Sequence, residues 1–410
     1  MRELYDATAL TPLRVARSGG YIDWASQPSL FKQYPEFLYR IGFDAHEELA
    51  PLALSRCITF EGNVGGKPYL RLNTPSAGNL HPVELYVQVR GVKGVLSGTY
   101  HLDALKEEMV LIRECGAEGL EHFVGMETRF DGFLFVVSVV PFRSEWKYGH
   151  RAWRYCYMDA GHQIGALCAA MEAYGLDTTL LGEADFSALN HMMGFGQQEF
   201  VCAAMAVGKA GEKPVKLPKT PLMQVAPTDY DESDGVVPGW IVQHHPVGTT
   251  LPPRMSGSAD EALQRARRSA RVFAGKTMPA DAFERIMHTL TRTPEWMNAY
   301  AIVLRDDQTP AGVYRGGKRI KTGDFAEPIA GMLVDQRFVS NAEIVMVLST
   351  PKYSADLQMA SAAFAHGLSL EAAARGVGYT AIGAFYDKKL QTFLETPEDI
   401  LYVGVFGLER

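Results

Sequence analysis

Apolar positions along the chain fall into one succession of patterns that comes twice. Residues 130–140 read FDGFLFVVSVV, an apolar run rich in β-branched and aromatic residues, which predicts a buried strand. Residues 151–185 follow as RAWRYCYMDAGHQIGALCAAMEAYGLDTTLLGEAD. They predict a long buried helix ending at Gly175, a short strand TTLL, and a break at Gly182. Further along, SNAEIVMVLST (340–350) predicts the matching strand. The matching helix is in LQMASAAFAHGLSLEAAARGVGYTAIGAFYD (357–387), ending near Gly376 before YTAI and Gly383. Gly182 lies seven positions after Gly175, and Gly383 seven positions after Gly376. Both helices are rich in Ala and Gly, so their backbones can approach a neighbour closely. An order of elements kept over so long a stretch points to internal duplication. The expected fold class is α+β, one sheet domain present twice.

Between the repeats, residues 211–260 hold eight of the 22 prolines and no sustained helical period, which marks a linker. The expected organisation is an arm over 1–45, a first domain over 46–210, the linker over 211–260 and a second domain over 261–410. The VVPGWIV run inside the linker is a candidate for docking on a domain. The arm carries Tyr21, Trp24, Phe31, Tyr34, Phe37 and Tyr39, which suit packing across the first half or lining an entrance. GVYRGGKRIKTG (312–323) is glycine-rich but lacks the strand-to-helix setting of a phosphate loop, and predicts a hairpin turn.

Composition narrows the function classes. The 410 residues allow two to three domains. With 47% hydrophobic and 21% charged residues, the chain has the balance of a packed globular protein. A net charge of −7 argues against a nucleic-acid surface. No apolar run is long enough for a membrane span, and the opening MRELYDATALTPL lacks a signal-peptide layout. The five cysteines are odd in number, lack CxxC spacing and all precede residue 210. That excludes a disulfide framework and a cysteine zinc site, and the expected compartment is the cytoplasm. His244 and His245 lack further ligand partners, so no metal site is expected.

The halves differ where chemistry is expected. The second opens with a predicted helix whose RRSARVF (267–273) places Arg267, Arg268, Ser269 and Arg271 within five residues, a set suited to an anion. The matching place in the first half, Leu54 to Phe60, keeps only Arg56. Conversely the first half has PSAGNLHP (75–82), whose small residues can bring backbone close to a flat ligand. The matching HTLTRTPEW (288–296) has no such cradle. Each half keeps one component that the other lost, so one complete site is expected between them. His162, within an Ala/Gly-rich helix, reads as a core histidine.

RRSARVF, PSAGNLHP and GVGYTAIGAF (376–385) resemble the FMN-dependent nitroreductase superfamily. The resemblance implies two fused nitroreductase-like domains forming an intramolecular pseudo-dimer, with FMN as cofactor. It gives the flavin phosphate and ribityl chain to Arg267, Arg268, Ser269 and Arg271. It gives the ring to Pro75, Ser76, Ala77, Gly78 and Asn79, and to Gly383 and Ala384; His81 either points at the ring or pins the turn. YIDWASQPSLFKQYP (21–35), YLRLNTPSAGNLHPVELYV (69–87) and WKYGHRAWRYCYMDAGHQIGAL (146–167) resemble the SagB-type, or thiazoline-oxidase-type, branch. That branch oxidises azoline rings in ribosomal peptides, and its Lys-Tyr pair, assigned to proton removal, falls on Lys147 and Tyr148. Two departures stand out. The arginine-rich opening is missing from the first half, and Gly383-Ala384 stands where simpler nitroreductases often carry an acid and a glycine.

Proton removal by Tyr148 requires a phenolate, which the Lys147 ammonium would favour if both sat in a turn or at a helix end. The leading expectation is therefore FMN-dependent dehydrogenation of an azoline or residue in a peptide natural product, with hydride transfer to flavin N5. The implied partners are a peptide or small-molecule substrate and a cyclodehydratase, with no nucleic acid and no membrane, and the chain is expected to act as a monomer. Two alternatives stay open: an NAD(P)H-dependent nitro or quinone reductase, and a non-catalytic flavin- or peptide-binding subunit.

Overall fold

The computed structural model describes residues 2–18, 22–243 and 260–410; His244 and His245 lie outside the described residues. The first sheet orders its strands Arg40–Gly42, Glu108–Glu114, Gly98–Asp103, Val83–Arg90, Thr128–Val139, Phe200–Pro214 and Thr179–Leu180, every neighbouring pair antiparallel. The second runs Lys318–Thr322, Gly312–Arg315, Asn298–Val303, Ile344–Thr350, Asp399–Gly407 and Gly378–Ile382, again antiparallel throughout. Apart from the added edge strand Arg40–Gly42, the two orders coincide strand for strand. Each half also inserts one long helix at the same point, Ala152–Ala173 in the first and Ala355–Ala373 in the second. The fold is α+β, with one architecture used twice.

Local chemistry explains why both long helices stop where they do. Gly175 and Gly376 sit at φ +69° and +70°, the left-handed region that glycine enters without strain. The next amide reaches back in each case: Leu176 N–H donates to Met171 O at 2.9 Å, and Val377 N–H to Ala372 O at 3.0 Å. The predicted hairpin at 312–323 is present, and Gly316 and Gly317 make its turn at positive φ.

Other stretches depart from the pattern reading. The strand Phe200–Pro214 carries on into the expected linker, and Val236–Gln243 is a helix with Val237 and Ile241 buried. The chain's opening helix, Arg2–Thr8, reaches past the first half. Its Tyr5 hydroxyl donates to Asp387 Oδ1 in the second half at 3.0 Å and accepts from Ile400 N–H at 2.8 Å.

The halves meet along their long helices. A Cβ on Gly161 would lie 2.7 Å from Ala362 Cβ, and one on Gly165 would lie 2.7 Å from His366 Cβ. Only glycine fits that spacing, because a packed interface has no room for even one methyl group. Gly165→Leu is therefore expected to lower stability by roughly 1–3 kcal/mol through overpacking. Urea unfolding followed by circular dichroism checks this; an unchanged midpoint would contradict the close crossing.

Candidate functional site

A cleft of about 300 Å³ opens where the two halves face each other. The first half lines it with Pro75, Ser76, Ala77 and Gly78, with Tyr148, and with Tyr155, Met158, Asp159 and His162 of the long helix. The second half adds Ser269, Arg271, Gln336, Tyr402 and the turn Thr380 to Ala384.

The first-half loop is held by its own side chains. Gly78, Asn79 and His81 all have positive φ, at 65°, 60° and 46°. Asn79 Nδ2 donates to Leu70 O at 2.7 Å, and His81 Nε2 lies 3.1 Å from Asn79 Oδ1. Asn79 and His81 therefore pin the loop and do not line the cleft. Burial, with Arg56 nearby, lowers the His81 pKa to about 3, so the ring is neutral. Ser76 Oγ accepts from His81 N–H at 2.9 Å and donates to Asp159 Oδ2 at 2.6 Å. A Cβ on Gly78 would collide with the Tyr148 hydroxyl, so Gly78 is what admits that tyrosine.

The arginine motif is not helical. The helix Glu261–Ala266 ends before it, because the following backbone pairs with the second sheet: Ala270 N–H donates to Tyr379 O at 2.8 Å, and Ala274 N–H to Leu408 O at 2.8 Å. Extended chain alternates its side chains, and the four residues divide accordingly. Ser269 and Arg271 reach the cleft. Arg268 turns outward, its side chain 58% exposed and paired with Glu409. Arg267 is buried and donates to the first-half carbonyls of Asn73 and Leu72; burial lowers its pKa to about 10. Arg271 makes no ion pair among the described residues.

The turn carrying Gly383 and Ala384 is fixed from both sides. Arg151 Nη2 donates to Gly383 O at 2.8 Å, and Gln336 Nε2 to Ala384 O at 3.2 Å. A Cβ on Gly383 would lie 2.7 Å from the Tyr155 ring. Asp387, just beyond, accepts from Arg154 Nη1 at 2.6 Å and Arg151 Nη1 at 3.3 Å, and lies fully buried. Burial alone would raise its carboxyl, but the two guanidinium groups outweigh it and hold the pKa below the ordinary value.

Lys147 and Tyr148 end the helix Pro141–Tyr148, which Gly149 terminates at φ 50°. Tyr148 lines the cleft, edge-on to Tyr155 at 4.9 Å between ring centroids. Lys147 does not line it: its Nζ sits 4.9 Å from the Trp24 ring centroid, and burial lowers its pKa. The expected phenolate is not what this environment favours. Burial, then Tyr155 and Asp159, raise the Tyr148 pKa, and only Arg271 opposes them. Tyr148 is a neutral hydroxyl at physiological pH.

Pattern reading missed Tyr155, Asp159, Gln336 and Tyr402. Only Asp159 left a signal, as a lone carboxyl among apolar neighbours in a helix read as buried. His162 is a core histidine, with Nε2 2.8 Å from Tyr402 Oη, yet it also borders the cleft.

Comparison with known proteins follows the same division into halves. The profile of the nitroreductase family matches residues 47–209 and 265–408. A protein of Methanocaldococcus jannaschii, provisionally named a nitroreductase, is 30% identical over 114 residues. That match covers 26% of this chain and 56% of the relative, so the chain spans about half the length of the curated relative it matches. A crystal structure from Anabaena variabilis, provisionally named a nitroreductase, is 19% identical. It covers 100% of this chain and 99% of its own, with a TM-score of 0.82, so the whole two-half architecture has a solved counterpart. A structure from Desulfovibrio desulfuricans, provisionally named a nitroreductase and holding FMN, is 16% identical over 36% of this chain and 84% of its own, with a TM-score of 0.28.

Asp387→Ala would leave Arg154 buried without its partner. The expected loss is roughly 3–5 kcal/mol, as for other buried pairs broken from one side. Denaturant unfolding measures it, and a loss under about 1 kcal/mol, the scale of an exposed pair, would contradict this role.

Proposed function

The chain belongs to the nitroreductase family, and from that premise we propose that it dehydrogenates an azoline ring, or a residue, within a peptide natural product. In this reading it is a flavin oxidoreductase with FMN as cofactor. No helix among the described residues is long and apolar enough to cross a membrane.

The residues of the cleft fit FMN. Small residues line the cleft from both halves, Ser76, Ala77 and Gly78 from one and Gly383 and Ala384 from the other, and Arg271 offers a cation without an ion-pair partner among the described residues. Ser269 and Arg271 would hold the ribityl and phosphate end by charge-assisted hydrogen bonds. Ser76, Ala77 and Gly78 would flank the ring from one half, and Gly383 and Ala384 from the other. Arg267 supports the site from behind through the carbonyls of Leu72 and Asn73, whereas Arg268 faces outward, paired with Glu409. When bound, FMN supplies a two-electron acceptor.

The observation that carries the finer reading is Tyr148. Its hydroxyl lies against Gly78 in the same cleft as Ser269, Arg271 and Gly383. In our reading this neutral hydroxyl donates a hydrogen bond to the substrate and orients the reacting carbon. Lys147 acts through it as a positioning residue, holding the helix end against Trp24. A cyclodehydratase that makes azolines is the partner this reading implies.

Under anaerobic conditions, a synthetic thiazoline peptide is expected to bleach the bound flavin and emerge as the thiazole, while NAD(P)H leaves the flavin oxidised. Bleaching by NAD(P)H alone would replace this reading with that of a nitro or quinone reductase. A flavin that neither donor reduces would point to a binding subunit. Tyr148→Phe is expected to keep FMN and slow peptide oxidation by on the order of 10²-fold, the effect of losing one preorganised donor; a parent-like rate would remove Tyr148 from the mechanism.

Arg271→Glu puts a carboxylate where the phosphate end would lie. It is expected to abolish copurifying flavin while circular dichroism stays that of the parent. A yellow Arg271→Glu protein would contradict the proposed clamp.

A further inference from the structure

Two-electron chemistry at a flavin leaves a proton for the protein to place, and the cleft holds one side chain built for that. Asp159 projects from the first long helix into the cleft and is 6% exposed. Ser76 Oγ donates to its Oδ2 at 2.6 Å, and the Ala77 N–H also bonds to it. No cation pairs with it among the described residues. The groups around it are Tyr148, Tyr402 and Arg271 across the cleft, and Tyr155, Cys156 and His162 on its own helix. The hydroxyls and the thiol are pushed up by burial and the imidazole is pushed well down, so all of these except Arg271 are neutral near pH 7.

We propose that the Asp159 carboxyl is the catalytic proton-exchanging group of the cleft, with Tyr148 kept as a neutral hydrogen-bond donor beside it. Burial raises the Asp159 pKa to about 7 against the pull of Ser76 and Ala77, which suits a group that must both take and give a proton. Tyr148 cannot fill that role, because its environment keeps its proton on. Lys147 cannot either, because its ammonium lies on Trp24 outside the cleft.

In the dehydrogenating direction a substrate C–H bond breaks, its electron pair becomes part of the new double bond, and the proton goes to the Asp159 carboxylate. The hydride from the neighbouring atom would need the two-electron acceptor that FMN, when bound, supplies. In the reducing direction the same carboxyl, protonated, returns the proton. The inference rests on the cleft being the flavin site and not on the azoline substrate.

The test needs neither an azoline nor NAD(P)H. Infrared titration of the parent and of Asp159→Asn, without FMN, gives a difference spectrum for this one carboxyl. It is expected to titrate near pH 7; titration near pH 4, the ordinary aspartate range, would overturn the proposal. Ser76→Ala removes a bond to the charged form, so it is expected to move the midpoint upward, and an unmoved midpoint would count against the geometry. In the holoprotein, the plot of flavin midpoint potential against pH is expected to change slope near the same pH and to lose that break in Asp159→Asn. A break that persists in Asp159→Asn would assign the proton to another group.

Discussion

The closeness of the two long helices sets the rest of the structure. Gly161 and Gly165 let the first helix press against Ala362, Ala363 and His366 of the second. With the helices at that separation, a loop from one half and a turn from the other border a single cleft. A wider separation would leave each half with half a site. Asp387 fixes the remaining freedom, since its carboxylate joins Arg151, Arg154 and Tyr5 and so ties the opening helix and the first half to the turn at Gly383. Because these charges are buried, losing one partner strands the others, which makes the arrangement specific.

Duplication normally supplies two equivalent sites, and here the second place has been filled from within. Arg56 occupies the first-half position that corresponds to the second half's arginine motif. It is 2% exposed, lies 3.6 Å from Glu84 and donates to Gln163 Oε1 at 3.2 Å. Glu84 in turn accepts from Arg143 at 2.7 Å and lies 3.0 Å from His101 Nε2. Arg56, Arg143 and His101 thus gather around the Glu84 carboxylate, although Arg56 Nε and Nη2 keep no hydrogen-bond partner. The first half has thereby become a scaffold that presents the glycine loop, Tyr148 and Asp159 to the other half.

Much of this was legible in the chain because it depends on local rules. Gly175 and Gly376 end their helices by backbone conformation, and Gly316-Gly317 turns its hairpin for the same reason, so spacing alone revealed the repeat. The cleft motifs were legible by residue type. Their orientation was not, because the backbone at 267–273 takes its shape from pairing with Tyr379 and Leu408, which lie far along the chain. That pairing is why Arg268 faces outward although its neighbours do not. The protonation of Tyr148 was not legible for a related reason: the Lys147 ammonium stays near its ring, 5.4 Å from the centroid, but burial and the approach of Tyr155 and Asp159, which only folding brings about, raise the pKa of its hydroxyl. The opening helix reads as an arm, and only the tertiary structure brings Tyr5 to Asp387.

The proposed flavin site is made jointly by two halves of one chain. The direct measurement is the ratio of FMN to protein in the reconstituted, gel-filtered chain, taken with its mass in solution. One FMN per chain in a monomer is the predicted result. Two FMN per chain, or one that binds only when chains dimerise, would contradict it.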